Sequence, residues 1–559
     1  MRVASLRFGG KVLAAALIGA LALPVSVLAL DSDAKAARKA HRSEGLVITN
    51  ARIYTVDAKD QGEARVVDEV LIKNGRFAEV GKNVDRSQHV RVVDAGGRVV
   101  IPGIIDPHTH IVLVGNRPGW HTPMEHVFTI PDAIVEYQVR AMELDAAGVP
   151  SDQFITTIGP IAARQFAENR LPTIQELDSV SLTRPVYVQA AQGGIRANTA
   201  ARNWFAANNP AVTVNPDTGA VSGPALQTLR IAFLTPETRK RTAHNALQYY
   251  TGLGITTHGD SGAFHAETPS NGIASENTYT MHFPFLALNR EKNMPARLRI
   301  DFLHRDPPSD PTLTLAERLR NSFPYFGDDW LRTRGIGEFT GGTLEALLAV
   351  GRAGWRGEDH SLSLNNFLGL VALRQQAHDQ LIAEDFPDGI SKLRWVISHV
   401  PGTTEDSVNQ WKALGGGLLV GWGPLRAGTN VGPAYRTLFD NGIPLGYHAD
   451  GGDITVINPW MNFYTMITGR NLTGDLVNEG QTLTRWETLW LATAANKWFV
   501  SEDDLGSIEV GNHGDLVVLD RDFFNIPDAE IPRVRSVFTV IGGKIMHDAG
   551  VVRHKHGDD

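Results

Sequence analysis

Between residues 185 and 450 the chain alternates short apolar runs with longer helix-like ones, and this rhythm constrains its fold more than any other feature. The strand-like runs are 185–189, 254–258, 297–302, 394–399, 418–420 and 443–448. Helix-like runs such as 237–250, 315–321 and 405–414 lie between them. Repeated strand–helix alternation implies a parallel sheet, open or closed. Such sheets place functional groups at the carboxyl ends of their strands. With 559 residues and 42% hydrophobic content, the chain can build a large core around it.

The two ends of the chain read differently. Residues 46–57 read as a strand pair with a turn at Asn50, and 69–80 alternate around Asn74-Gly75, a strong hairpin signal. Strand character continues at 90–93 and 97–101, then returns at 515–520 and at 534–546, with a turn at Gly542-Gly543. A small sheet or sandwich built jointly from both termini explains this arrangement.

The first thirty residues have the layout of a secretory signal peptide. Arg2, Arg7 and Lys11 form a basic start, and an apolar run over 12–30 is broken by Gly19 and Pro24. Val27-Leu28-Ala29 offers a cleavage site after Ala29. Residues 1–29 are therefore expected to be removed on export, most simply to a bacterial periplasm, with no stable membrane insertion afterwards. Residues 30–45 read as a flexible lead-in. The net charge of −8 and the absence of a basic cluster argue against a nucleic-acid partner. The absence of cysteine excludes disulfides and thiolate metal ligands.

A mostly apolar run, 99–105, leads into His108 and His110. Residues i and i+2 of a strand share a face, so the two imidazoles can grip one metal ion. Further polar residues stand at or after presumed strand ends: His360, His399 and Asp450. Each alone reads more readily as structural; together they make a plausible metal site.

The stretches IPGIIDPHTH at 101–110 and LGSIEVGNHGDLVVLD at 505–520 carry a family resemblance. The chain resembles the amidohydrolase superfamily, and within it the YtcJ-like (amidohydrolase 3) branch that includes N-substituted formamide deformylases. The resemblance implies an α/β fold: a distorted (β/α)8 TIM barrel over 102–504, with a β-sandwich from 46–101 and 505–553. It also implies that His108, His110, His360, His399 and Asp450 bind a divalent metal or the attacking water, with Asp450 as the catalytic proton acceptor. One or two ions are expected, zinc by default.

The chain departs from the family pattern in several places. The strand-4 lysine that can bridge two metals is missing from 333–342; Gly337 takes its position, and Glu338, one residue on, is the candidate bridge. One residue of offset would turn Glu338 to the wrong face of a regular strand, unless a bulge intervenes. The loop presumed to follow strand 2, at 192–195, lacks the family's histidine. Ser398 stands where relatives carry glutamate, and Ala449 where they carry serine. His258 and His448 are candidates for contacting the substrate or supporting the ligands. Trp120, His121, Trp355, Trp422, Tyr447 and Trp460 lie near presumed loop ends, but aromatic residues more often pack than bind.

The leading expectation is an exported metal-dependent hydrolase of a small molecule, cleaving an amide-type, non-peptide C–N bond. An esterase or lactonase on the same fold, or a periplasmic binding protein that has lost catalysis, are the alternatives. A homo-oligomer is compatible with the sequence, which leaves the oligomeric state open.

Overall fold

A computed structural model describes residues 45–86, 90–192, 194–262, 280–307, 309–340, 342–421, 423, 432–452 and 455–555. The expected signal peptide, nearly all of the lead-in, and Trp422 lie outside the described residues. No helix among the described residues is long and apolar enough to cross a membrane.

Eight parallel strands form the central sheet. They are β1 (Ile104–Thr109), β2 (Ile255–Asp260), β3 (Arg297–Phe302), β4 (Leu331–Ile336), β5 (Arg356–His360), β6 (Val396–Ser398), β7 (Gly417–Gly421) and β8 (Leu445–His448). The sheet curls until its edges meet: Thr109 bridges Gly451 in parallel, and the Asp450 amide donates to the His108 carbonyl at 3.1 Å. The expected distorted barrel is therefore present. Helices follow most of the strands. Several begin at hydroxyl residues whose side chains accept a first-turn amide, as at Thr235, Thr343, Ser363 and Thr404. Such caps stabilise a helix by about 1 kcal/mol each. Trp355, Trp395, Trp411 and Trp460 are fully buried in the principal core. Tyr447 is buried there as well, so Trp355, Tyr447 and Trp460 are packing residues.

Both termini build a sandwich. One five-stranded sheet runs in the order Arg553–Lys555, Val90–Asp94, Gly45–Thr49, Glu69–Lys73, Arg76–Gly81. The six-stranded partner runs Lys544–Asp548, Ser536–Ile541, Leu516–Leu519, Val99–Pro102, Arg52–Tyr54, Val66–Val67. A shared apolar core containing Ile48, Ile72, Val100, Val518 and Phe538 joins them. The Asn74-Gly75 hairpin forms as expected, with φ of 53° and 78°. Two left-handed residues in a two-residue turn match the strand twist. The two strands within 46–57 do not pair with each other; each joins a different sheet.

A second expectation also fails. The run at 185–189 is not a barrel strand, and the loop after it is not the loop after β2. It lies in Val186–Gln192, in a separate four-stranded sheet with Trp120–His121, Ile155–Ala162 and Ile195–Ala197, inserted between β1 and β2. This sheet buries its own apolar clusters, so an apolar run such as Val186–Val188 reads like a barrel strand.

Candidate metal centre

The barrel places six side chains at its carboxyl rim in two groups whose ligand atoms lie within 4.8 Å of one another. His108, His110, Glu338 and Asp450 form the first, and Glu338, His360 and His399 the second. All six residues expected to hold metal are thus brought together, and Glu338 belongs to both groups. His108 Nε2 lies 2.9 Å from Glu338 Oε2 and 3.3 Å from Asp450 Oδ1. His110 Nε2 lies 3.3 Å from Asp450 Oδ1. In the second group, His360 Nδ1 lies 3.8 Å from Glu338 Oε2.

The local backbone explains how residues with awkward register reach the centre. Glu338 stands two residues past the end of β4, where strand alternation no longer dictates its face. His399 follows β6 directly with φ of 71°, and Asp450 follows β8 with φ of 53°. A left-handed residue turns the chain off the strand direction; for residues other than glycine this is uncommon and clusters at functional sites. Gly337 is required for a different reason. A Cβ there would sit 2.9 Å from the Cβ of Glu358.

Sequence reasoning missed Glu358. Its Oε1 accepts a 2.5 Å hydrogen bond from His108 Nδ1, which leaves Nε2 to face the centre. Glu358 is held in turn by Arg356 at 2.6 Å, and Arg356 also reaches Asp301 at 2.9 Å. Arg334 makes a paired contact with Asp301 from the other side. All four are fully buried, and their formal charges cancel. The Arg356, Glu358, His360 spacing, two residues apart on one strand, was the available signal. His110 Nδ1 is fixed by the Gly262 carbonyl at 2.8 Å, a contact with no trace in the sequence. Outer partners of this kind orient a metal-binding imidazole and select its tautomer.

Charge and burial conflict here in a way that a cation resolves. Burial opposes protonation of His108, yet Glu358, Asp450 and Glu338 hold its pKa well above the imidazole value. His110 is likewise pushed up to about 9, against burial, by Asp450 and Glu338. Burial would raise Glu338 and Asp450, but the surrounding imidazoles hold both below the usual carboxylate range. His108 Nε2 and Glu338 Oε2, though close, are buried without an aligned hydrogen-bond partner. Atoms that converge without bonding one another fit a shared positive ion between them. Burial lowers His399 to about 4, which leaves it neutral and able to donate a lone pair. The residues therefore fit a divalent metal.

His448 is buried with its ring 4.9 Å from those of both His108 and His399, and belongs to neither group. His258 also belongs to neither; it is buried with its ring 5.7 Å from that of Tyr250. Among the members of the two groups, His360 is the open one, with 27% of its side chain exposed against 3% for Glu338.

Residues 91–547 match the amidohydrolase family. An N-substituted formamide deformylase of Arthrobacter pascens is 30% identical over 147 residues, 26% of each chain. An imidazolonepropionase of Vibrio cholerae is 33% identical over 72 residues, 13% of this chain and 18% of that one. The chain thus spans about a quarter or less of the length of these relatives. Among solved structures, an uncharacterized metal-dependent hydrolase of Pyrococcus furiosus aligns with a TM-score of 0.53 and 17% identity, covering 86% of this chain and all of its own. The atrazine chlorohydrolase of Arthrobacter aurescens TC1, complexed with zinc, gives 0.52 and 15% identity, covering 90% of this chain and 95% of its own. At these identities the likeness is one of fold.

Proposed function

We propose, from the premise that this chain belongs to the amidohydrolase family, that it hydrolyses a C–N bond of a small molecule, of amide type but not peptide, at a centre for two divalent metal ions. The observation that carries this reading is Glu338 shared between two donor groups. A carboxylate there takes the place of the family's bridging lysine. His108, His110 and Asp450 would hold one ion with Glu338, and His360 and His399 the other; zinc suits imidazole and carboxylate donors. A bound divalent ion supplies Lewis acidity and brings the pKa of water from 15.7 to about 7.

The protein's own groups do the rest. Glu358 and the Gly262 carbonyl hold the His108 and His110 rings in place. Asp450, poised as a carboxylate by His399, His108 and His110, can accept a proton from the attacking water and return it to the leaving nitrogen. His360 marks the open side, from which a substrate carbonyl approaches. The basic start and apolar run before residue 30 support export, and with it a periplasmic substrate.

A panel of N-acyl, N-formyl and cyclic amides, run beside esters and lactones of matching shape, tests this. The reading expects turnover of at least one amide class, lost on chelation and restored by zinc. Turnover of esters alone would move the assignment to an esterase. Binding without turnover of any substrate in metal-replete protein would overturn it.

A further inference from the structure

Away from the metal centre, a cavity of about 480 Å³ opens where the inserted sheet meets the C-terminal half of the chain. That volume is within the range of small-molecule sites. Phe128 and residues 164–166 supply one side, Tyr464 on the helix Pro459–Thr468 another, and Arg533 the third, at the end of the turn Asp528–Arg533. None of the residues of the two metal groups lines it. Phe128 and Leu472 at its back pack on the buried Ala162, Val456 and Met461, so the floor is apolar and fixed.

Three polar features stand out against that floor. Arg164 and Arg533 line the cavity, and among the described residues no carboxylate lies within ion-pair distance of either. Arg533 instead lies over the Phe128 ring, 5.1 Å from its centroid. Asp475, the carboxylate that feels Arg164, is exposed and accepts hydrogen bonds from Asn471 and Thr473. Gln165 is 4% exposed, and its Nε2 donates to the Met124 and Val127 carbonyls at 2.7 Å each. Those two bonds fix which end of the amide is oxygen, and Oε1 is left buried with no partner. A buried acceptor without a donor costs about 1–3 kcal/mol, which a ligand donor would relieve.

We propose that this cavity is a second binding site, for a small carboxylate with an aromatic or similarly apolar body and one O–H or N–H donor. The two guanidinium groups take the carboxylate, with the fork geometry suited to it. Phe128, Phe166 and Tyr464 enclose the body, and Gln165 Oε1 accepts from the donor. The site stands independently of the hydrolytic reading.

The probe is 3-(4-hydroxyphenyl)propionate, which carries all three features and no hydrolysable bond, titrated calorimetrically into the metal-loaded full-length protein. Saturable binding at one per chain is expected. Arg164→Gln/Arg533→Gln should weaken it at least tenfold, about 1.4 kcal/mol, and both side chains reach solvent, so an unchanged melting temperature is expected. His108→Ala/His110→Ala should leave it unchanged. 3-Phenylpropionate, without the hydroxyl, and 3-(4-hydroxyphenyl)propan-1-ol, without the charge, should each bind more weakly. Equal affinity in the arginine variant, loss of binding in the histidine variant, or no saturable binding to the unaltered protein would each overturn the proposal.

Discussion

Glu358 Oε1 accepts a 2.5 Å hydrogen bond from His108 Nδ1, and both residues are fully buried. The pair connects a metal-facing imidazole to a buried run of alternating charge: Glu358, Arg356, Asp301, Arg334. The His108 ring is thereby held by groups that belong to neither donor group.

Glu358→Gln keeps the shape and an acceptor but removes the charge. Metal affinity should fall by about 10- to 100-fold, the usual effect of losing an outer partner. Competition with a chromogenic chelator reads this directly. An affinity within twofold of the unaltered protein would show that Glu358 does not support His108.

Arg356→Leu breaks the same run one step further back. Asp301 and Glu358 would each lose a buried partner, and removing one member of a buried pair costs about 3–5 kcal/mol. Denaturant unfolding should show that loss. A variant as stable as the unaltered chain would mean that Arg334 alone neutralises both carboxylates.

Glu125 gives a pH signature from outside the two donor groups. Burial pushes its carboxyl up to about 8, against hydrogen bonds from Tyr250 Oη and the Asn458 amide, each at 2.6 Å. In the unfolded chain it titrates near about 4.3. Between those values the folded chain holds a proton that the unfolded chain has released, so stability falls as pH rises, by at most about 1.4 kcal/mol per unit. Glu125→Gln removes that share, and the variant's melting temperature should decline less from pH 5 to 8. Asp106, also raised to about 8 by burial, retains its own share. Identical profiles for the two proteins would contradict the assignment.

The site was more legible than the fold around it. His108 and His110 announce themselves by i, i+2 spacing at the end of an apolar run, and the six expected ligands converge. The doubt over Glu338 arose from strand parity, which stops applying once β4 ends at Ile336. Glu358 was hidden because the partner that gives it meaning, His108, is 250 residues away in sequence; the alternation with Arg356 and His360 on its own strand was the one local signal. The inserted sheet was misread because Val186, Tyr187 and Val188 are buried as barrel-strand residues are, and periodicity does not record which sheet a strand joins.

The metal content of the purified protein tests the central claim most directly. Elemental analysis should find two divalent ions per chain in the unaltered protein, and no more than one in either Glu338→Ala or His108→Ala/His110→Ala. Two ions retained in the Glu338 variant, or undiminished metal in the double-histidine variant, would contradict the account.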